Sequence, residues 1–145
     1  MKYIDQHLSE TVEQLICGHI APVDVAIIEA SLIDENGNII PTTSIGNSAF
    51  FVAQAKKIII EINTKIPLSF KGIHDCSVPN SYPDRDVINI HTPMDRTGEP
   101  FIKIDPEKVV AVVYTDIVDQ PAIVADPDDI TTAISKHLLN FFEQE

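Results

Sequence analysis

Two runs of this chain, Val23-Asp24-Val25-Ala26-Ile27-Ile28-Glu29-Ala30 and Lys57-Ile58-Ile59-Ile60-Glu61-Ile62-Asn63, carry apolar residues at consecutive positions rather than alternate ones. A strand written this way has apolar side chains on both faces, which is the pattern of a central strand in a parallel sheet. Lys108-Val109-Val110-Ala111-Val112-Val113-Tyr114 has the same character. Between the first two runs, Asn36-Gly37 separates Leu32-Ile33 from Ile39-Ile40, so the chain should reverse there and pair those stretches as a hairpin. The polar stretch Thr42-Thr43-Ser44-Ile45-Gly46-Asn47-Ser48 then opens onto Ala49 to Lys56, read as a helix beginning near Asn47 or Ser48. Strand, turn, helix, strand is an α/β order.

The flanks add helices. Leu8, Val12, Leu15 and Ile16 recur at helical spacing, with Ser9 as the expected N-cap and Gly18 as the stop. Near the other end, Asp126 is the expected N-cap and Pro127 the first helical residue of an amphipathic helix through Ile130, Ala133, Ile134, His137, Leu138, Phe141 and Phe142. Glu143-Gln144-Glu145 follows with no Gly or Asn stop and with carboxylates at the negative pole of the helix dipole, so the sequence reads as a cut chain, the alternative being a natural frayed end. The middle, from Thr64 to Pro106, holds Pro67, Pro79, Pro83, Pro93, Pro100 and Pro106 and lacks periodicity. Its one strand candidate is Asp86-Val87-Ile88-Asn89-Ile90. A loop region of this length points to function or to an interface. Residues 1–145 read as a single unit without repeat, low-complexity tract or linker.

Charge narrows the function. Ten Lys and Arg against 22 Asp and Glu give −12 with no basic run, which opposes nucleic-acid binding. No apolar stretch approaches a spanning helix and the first residues lack a signal-peptide core, so neither membrane nor export is expected and the chain reads as cytoplasmic. Cys17 and Cys76 form no CxxC pair and are read as reduced, inert thiols. His7, His19, His74, His91 and His137 are scattered, and His74-Asp75-Cys76 is too local to converge on one ion, so no metal is expected.

Three places merit chemical attention. Gly46, Asn47 and Ser48 combine a close backbone approach, side-chain donors and a helix start, which suits an anion; the competing reading is that Ser44, Asn47 or Ser48 only caps the helix. Glu29 and Glu61 interrupt apolar strands, where a carboxylate is costly unless paired, so each is either catalytic or an end-of-strand group reaching solvent, an Arg or a Lys. Arg96 either pairs with Asp95 or Glu99 or binds a carboxylate or phosphate. No GxGxxG, P-loop, GxSxG or Cys-His protease context is present, and from the residues alone no catalytic constellation is complete.

As a string, the sequence resembles the acetyl-CoA hydrolase/transferase family, which includes succinyl-CoA:acetate and 4-hydroxybutyrate CoA-transferases. The blocks that carry this are Asp5-Gln6-His7-Leu8-Ser9, Val23 to Ala30, Glu35 to Ser48, Lys57 to Asn63, Leu68 to Asp75, Asp95 to Pro106, Lys108 to Asp116 and Ala133 to Phe141. The resemblance implies a CoA-transferase-like layered α/β sheet with helices (ribose-5-phosphate isomerase/CoA-transferase-like), present here as a partial domain matching the later part of the N-terminal half. It implies coenzyme A as substrate, no metal, acyl-CoA and small carboxylates as reactants, and a homo-oligomer. The family's chemistry is attack by a glutamate on the acyl-CoA thioester, with backbone donors holding the oxyanion. That glutamate lies in the C-terminal half, and no position here matches its motif.

The expected function is therefore a fragment of an acyl-CoA hydrolase or CoA-transferase, inactive without the missing C-terminal half, with no catalytic residue of its own. Gly46, Asn47, Ser48 and Arg96 are its substrate- or CoA-binding candidates. The alternatives are a stand-alone anion- or CoA-binding or assembly module on the same fold, and an enzyme using Glu29 or Glu61.

Overall fold

A computed structural model of the chain describes residues 3–80, 83–120 and 123–144. Its elements are α1 (Leu8–Ile16), β1 (Val25–Ile33), β2 (Ile39–Pro41), α2 (Ser48–Gln54), β3 (Lys57–Asn63), β4 (Val109–Thr115) and α3 (Asp129–Phe142), with short 3₁₀ turns at Leu68–Phe70 and Pro106–Lys108. The strands form one sheet in the order β2-β1-β3-β4, antiparallel between β2 and β1 and parallel elsewhere.

The hairpin forms as the Asn36-Gly37 signal predicts, with Leu32 opposite Ile40 and Ile33 opposite Ile39. Its turn is built by Asp34, whose Oδ1 accepts the amides of Asn36 (2.9 Å) and Asn38 (2.8 Å). The Asn38 side-chain amide adds a third bond and, ahead of the others, holds the Asp34 carboxyl below the usual carboxylate range. On its outer side β2 is not left bare: Ile39 and Ile102 exchange both backbone hydrogen bonds, at 2.9 and 2.8 Å.

The two central strands depart from the two-sided burial that their composition predicts. One face, Ala26, Ile28 and Ala30 of β1 with Ile58, Ile60 and Ile62 of β3, is buried beneath α2, which contributes Val52 to the same core. The opposite face is open, and Val25 and Ile27 stand exposed on it. In register, Ile27 aligns with Ile59 and Ala111, and Glu29 with Glu61 and Val113, so this face runs across three strands. Val110 is passed over where the β3–β4 register steps at Ile58/Ile59.

Both flanking helices form, and both are capped differently from the sequence expectation. The N-cap of α1 is His7 rather than Ser9, with Nδ1 accepting the Ser9 amide. That of α3 is Asp128 rather than Asp126: Asp128 accepts the Thr131 amide at 2.7 Å while the Thr131 hydroxyl takes the Asp128 amide at 2.9 Å, a reciprocal box that Asp126 has no Thr to complete. No residue of α1 or α3 is buried, and Ile130, Ile134, Leu138, Phe141 and Phe142 of α3 are exposed.

Asp86 to Ile90, a strand candidate by composition, is not a strand. It finds no ladder partner among the described residues, and Val87 and Ile88 face solvent. What orders the proline-rich middle is carboxylate-to-backbone bonding. Asp95 accepts the amides of His91 (2.7 Å) and Thr92 (2.9 Å), and Asp75 accepts those of Gly98 (2.6 Å) and Thr97 (3.0 Å). Cys76 and Glu99 then exchange backbone bonds at 2.7 and 2.8 Å. The two segments lie so close that a Cβ on Gly98 would fall 2.0 Å from the Cys76 carbonyl oxygen, so only glycine fits.

Two outcomes follow. Ile60→Ala, at a site with no exposure, lowers the unfolding free energy by about 2–5 kcal/mol in urea denaturation, whereas Ile27→Thr, at 67% exposed, changes it by less than about 1 kcal/mol. The Thr97 amide, ahead of the Gly98 amide, the Thr97 hydroxyl and the Arg96 charge, holds the Asp75 carboxyl below its ordinary 3.8. A depressed carboxylate stabilises the fold above its unfolded value and loses that contribution as pH falls through the lower folded value. Amide exchange at Thr97 and Gly98, corrected for intrinsic rate, is therefore expected to accelerate below about pH 4, and Asp75→Ala removes that pH dependence.

Candidate functional site

The stretch from Thr42 to α2 is shaped by Gly46, which takes φ +41, and by a backbone bond from the Ser48 amide to the Ile45 carbonyl at 2.9 Å. Asn47 occupies the N-cap position without a side-chain bond to the helix. Its Nδ2 donates instead to the Leu8 carbonyl at 2.9 Å, which ties the start of α1 to the start of α2. The capping reading of Asn47 is thus replaced by an inter-helix tie.

Arg96 does not pair with Asp95 or Glu99. Its Nη2 donates to the Gly72 carbonyl at 2.7 Å and its Nη1 to the His74 carbonyl, so the guanidinium bridges those two carbonyls. A guanidinium carries five N–H groups in a fixed fork, so these two bonds do not exhaust it.

Between α1, the Gly46–Phe50 stretch and the proline-rich segment lies a cleft of about 870 Å³. Gly46, Asn47 and Arg96 line it together; Ser48 does not. Val12 and Ile16 give it an apolar wall, and Arg85 joins Arg96 on its rim. Those are the chain's only two arginines, placed on one cleft in a molecule of net charge −12. The size suits a small-molecule site, which is typically a few hundred Å³ and upward with a few polar groups on apolar walls.

A second polar cluster lies where the parallel strands end, on the otherwise open face. Glu29 neither reaches an Arg or Lys nor stands free: Oε2 accepts the Thr42 hydroxyl at 2.8 Å and Oε1 the Asn63 side-chain amide at 2.7 Å. Asn63 Nδ2 also donates to the Ile117 carbonyl at 2.8 Å, and Asn63 Oδ1 accepts the Lys65 amide at 3.1 Å. Glu61 accepts the Thr115 hydroxyl at 3.0 Å. His74 Nε2 lies 3.0 Å from the Thr42 carbonyl. A carbonyl only accepts, so Nε2 carries the proton, and Nδ1 is left buried with no partner among the described residues. Thr42, Asn63 and His74 did not stand out in the sequence. The signal for the cluster was the shared fifth position of Glu29 and Glu61, counted from Val25 and Lys57, which the parallel register turns into side-by-side neighbours.

Among the described residues no three His, Cys, Asp or Glu side chains gather as a metal site. Cys17 is an exposed free thiol on the cleft, and burial, with the Asp75 charge as a smaller cause, pushes the Cys76 thiol up. No helix of the described residues is long and apolar enough to cross a membrane.

Residues 1–114 match the acetyl-CoA hydrolase/transferase N-terminal domain. The chain is 41% identical to an acetyl-CoA hydrolase of Schizosaccharomyces pombe, 38% to a succinyl-CoA:acetate CoA-transferase of Clostridium kluyveri and 33% to a propanoyl-CoA:succinate CoA transferase of Escherichia coli. Each alignment covers all of this chain but only 29%, 27% and 30% of the respective relative. The mixed sheet with its helices fits an α/β domain of that kind, and over the segment it spans, the chain belongs to the acetyl-CoA hydrolase/transferase family.

Proposed function

We propose that this chain forms one wall of an acyl-CoA cleft, inactive alone, in an enzyme that hydrolyses acyl-CoA or moves CoA between an acyl-CoA and a carboxylate such as acetate. The observation that carries this reading is the cleft holding Gly46, Asn47 and both arginines, alongside Glu13 and Asp86, in a chain of net charge −12. Phosphate and carboxylate groups are what a guanidinium fork recognises. Coenzyme A offers phosphates, and the relatives' names specify CoA chemistry. Ser48, the fourth candidate, acts on this reading only through the backbone turn it closes with Ile45.

The open sheet face and the exposed apolar stripe of α3 support a partner: the polypeptide that makes up the remainder of the relatives' length and that carries the reacting glutamate. Glu29, with both oxygens accepting hydrogen bonds, is read as scaffold rather than as nucleophile. No metal is required by the chemistry so described. A homo-oligomer of the assembled enzyme is part of the same reading.

The test is complementation. The chain is mixed with a polypeptide comprising the rest of the Schizosaccharomyces pombe relative, and acetyl-CoA turnover is followed. Turnover is expected only in the mixture, and Arg85→Ala is expected to weaken CoA binding there about tenfold, the effect of losing one charged hydrogen bond. Thioester turnover by the chain alone, abolished by Glu29→Gln or Glu61→Gln, would reject the proposal. Tight CoA binding by the chain alone, unaltered by the added polypeptide, would favour a binding module.

A further inference from the structure

Glu29 sits near the end of the parallel ladder, at the pair Glu29–Glu61, one step before Ala30–Ile62. Its backbone is therefore held against β3, and pairing with β2 begins at the next residue, Ala30. From that fixed base its two carboxylate oxygens take donors from two separate segments, Thr42 and Asn63. Both partners are almost wholly buried, at 1% and 2% exposure, where an unmade hydrogen bond is costly.

The contacts run onward from Thr42. Its carbonyl takes the His74 Nε2 proton, and the His74 backbone carbonyl takes Arg96 Nη1. In the other direction along the chain, Thr42 leads through Thr43, whose hydroxyl donates to Asp119 at 2.7 Å, to Gly46 and Asn47 on the cleft. Both the Gly46–Asn47 wall and Arg96 are thereby connected to one carboxylate.

We propose that Glu29 is a positioning residue: through Thr42 it sets the pose of the Gly46–Asn47 stretch, and through Thr42 and His74 that of Arg96. This deepens the reading of the cleft as an acyl-CoA wall and rests on it for its functional meaning, though not for its geometry. The role demands an acceptor and not a charge. Asn63 Oδ1 is engaged by the Lys65 amide, so its Nδ2 must face Glu29, and one acceptor is required there. The Thr42 hydroxyl can rotate to accept instead of donate. A glutamine at position 29 satisfies both, its oxygen toward Asn63 and its amide toward Thr42. A leucine satisfies neither. A nucleophile or general base would show no such preference, since glutamine abolishes that chemistry as fully as leucine does.

The experiment uses the full chain with Glu29→Gln, Glu29→Leu and Thr42→Val, and reads amide exchange by NMR. Glu29→Leu and Thr42→Val are expected to speed exchange at Ser48 and Phe51, the amides that close onto Ile45 and Asn47, by about tenfold, with the Ile60 and Ile62 amides of the ladder within about twofold. Glu29→Gln is expected to stay within about threefold of the parent throughout. Unchanged exchange at Ser48 and Phe51 in Thr42→Val overturns the proposal, as does a Glu29→Gln effect equal to that of Glu29→Leu, or acceleration of the ladder to the same extent. If Glu29→Leu does not fold, Thr42→Val, which removes a single hydroxyl, decides the matter. Exchange is read without CoA, so failure of the acyl-CoA reading appears separately, as an absence of CoA-induced shifts at Gly46 and Asn47 in the parent chain mixed with its complementing polypeptide.

Discussion

Parallel pairing of β1 with β3 fixes six successive residue pairs, from Val25–Lys57 to Ala30–Ile62, and with them the face on which every side chain of both strands must lie. Because side chains alternate, that register buries Ala26, Ile28, Ala30, Ile58, Ile60 and Ile62 together and sends Val25, Ile27, Glu29, Ile59 and Glu61 to the other side. Parallel sheets are ordinarily covered on both faces, since their crossover helices lie there. Here one face has α2 and the other has no helix among the described residues, and α3, with an apolar stripe of its own, remains exposed. Two apolar surfaces uncovered in one small chain are what a segment spanning 27–30% of its relatives would present where the rest of the fold packs.

The acidity that opposes nucleic-acid binding also has a structural use. Asp34, Asp75, Asp95 and Asp128 each accept backbone amides in turns or caps that have no ladder to satisfy them; each is held below its usual range, Asp34 first by the Asn38 side-chain amide and the other three first by a backbone amide. A carboxylate suits this work because it accepts several bonds at once without needing a donor of its own. The proline-rich middle, which can offer few amides to a sheet, is shaped mainly by two of these clamps. Ion pairs contribute little: Lys56 with Asp24 and Lys71 with Glu35 are both exposed.

What could be read from the sequence was whatever depended on local pattern. The Asn36-Gly37 hairpin, β3 from Lys57 to Asn63 and a helix opening at Asn47 or Ser48 all have short-range signals, and all are present. The apolar composition of β1 gave its existence but not its one-sided burial, because burial depends on which element covers it. Asp86 to Ile90 has strand composition without a strand, since β propensity acts only when a partner edge is offered. Among the site residues, Gly46, Asn47 and Arg96 do meet on one cleft, but the partners of Arg96 are carbonyls 22 and 24 residues away, which no local rule supplies. Sequence separation likewise hid Thr42 and Asn63, which the fold closes onto Glu29, and His74, which it closes onto the Thr42 carbonyl.

That closure bears on how a carboxylate-bearing strand in this fold should be interpreted. A glutamate that is to attack a thioester needs an oxygen lone pair directed at the reacting carbon and little stabilisation of its anion by fixed donors. Glu29 has the opposite arrangement: both oxygens are engaged at 2.7–2.8 Å by groups that are themselves buried and tied to other segments. Moving it would break contacts to β3, to the Thr42 stretch and to the path toward Arg96. The features that make it poor as a nucleophile, rigidity and two engaged oxygens, are those that make it effective as an anchor, and on the proposed reading the chemistry of the family falls to a carboxylate held elsewhere with a freer oxygen.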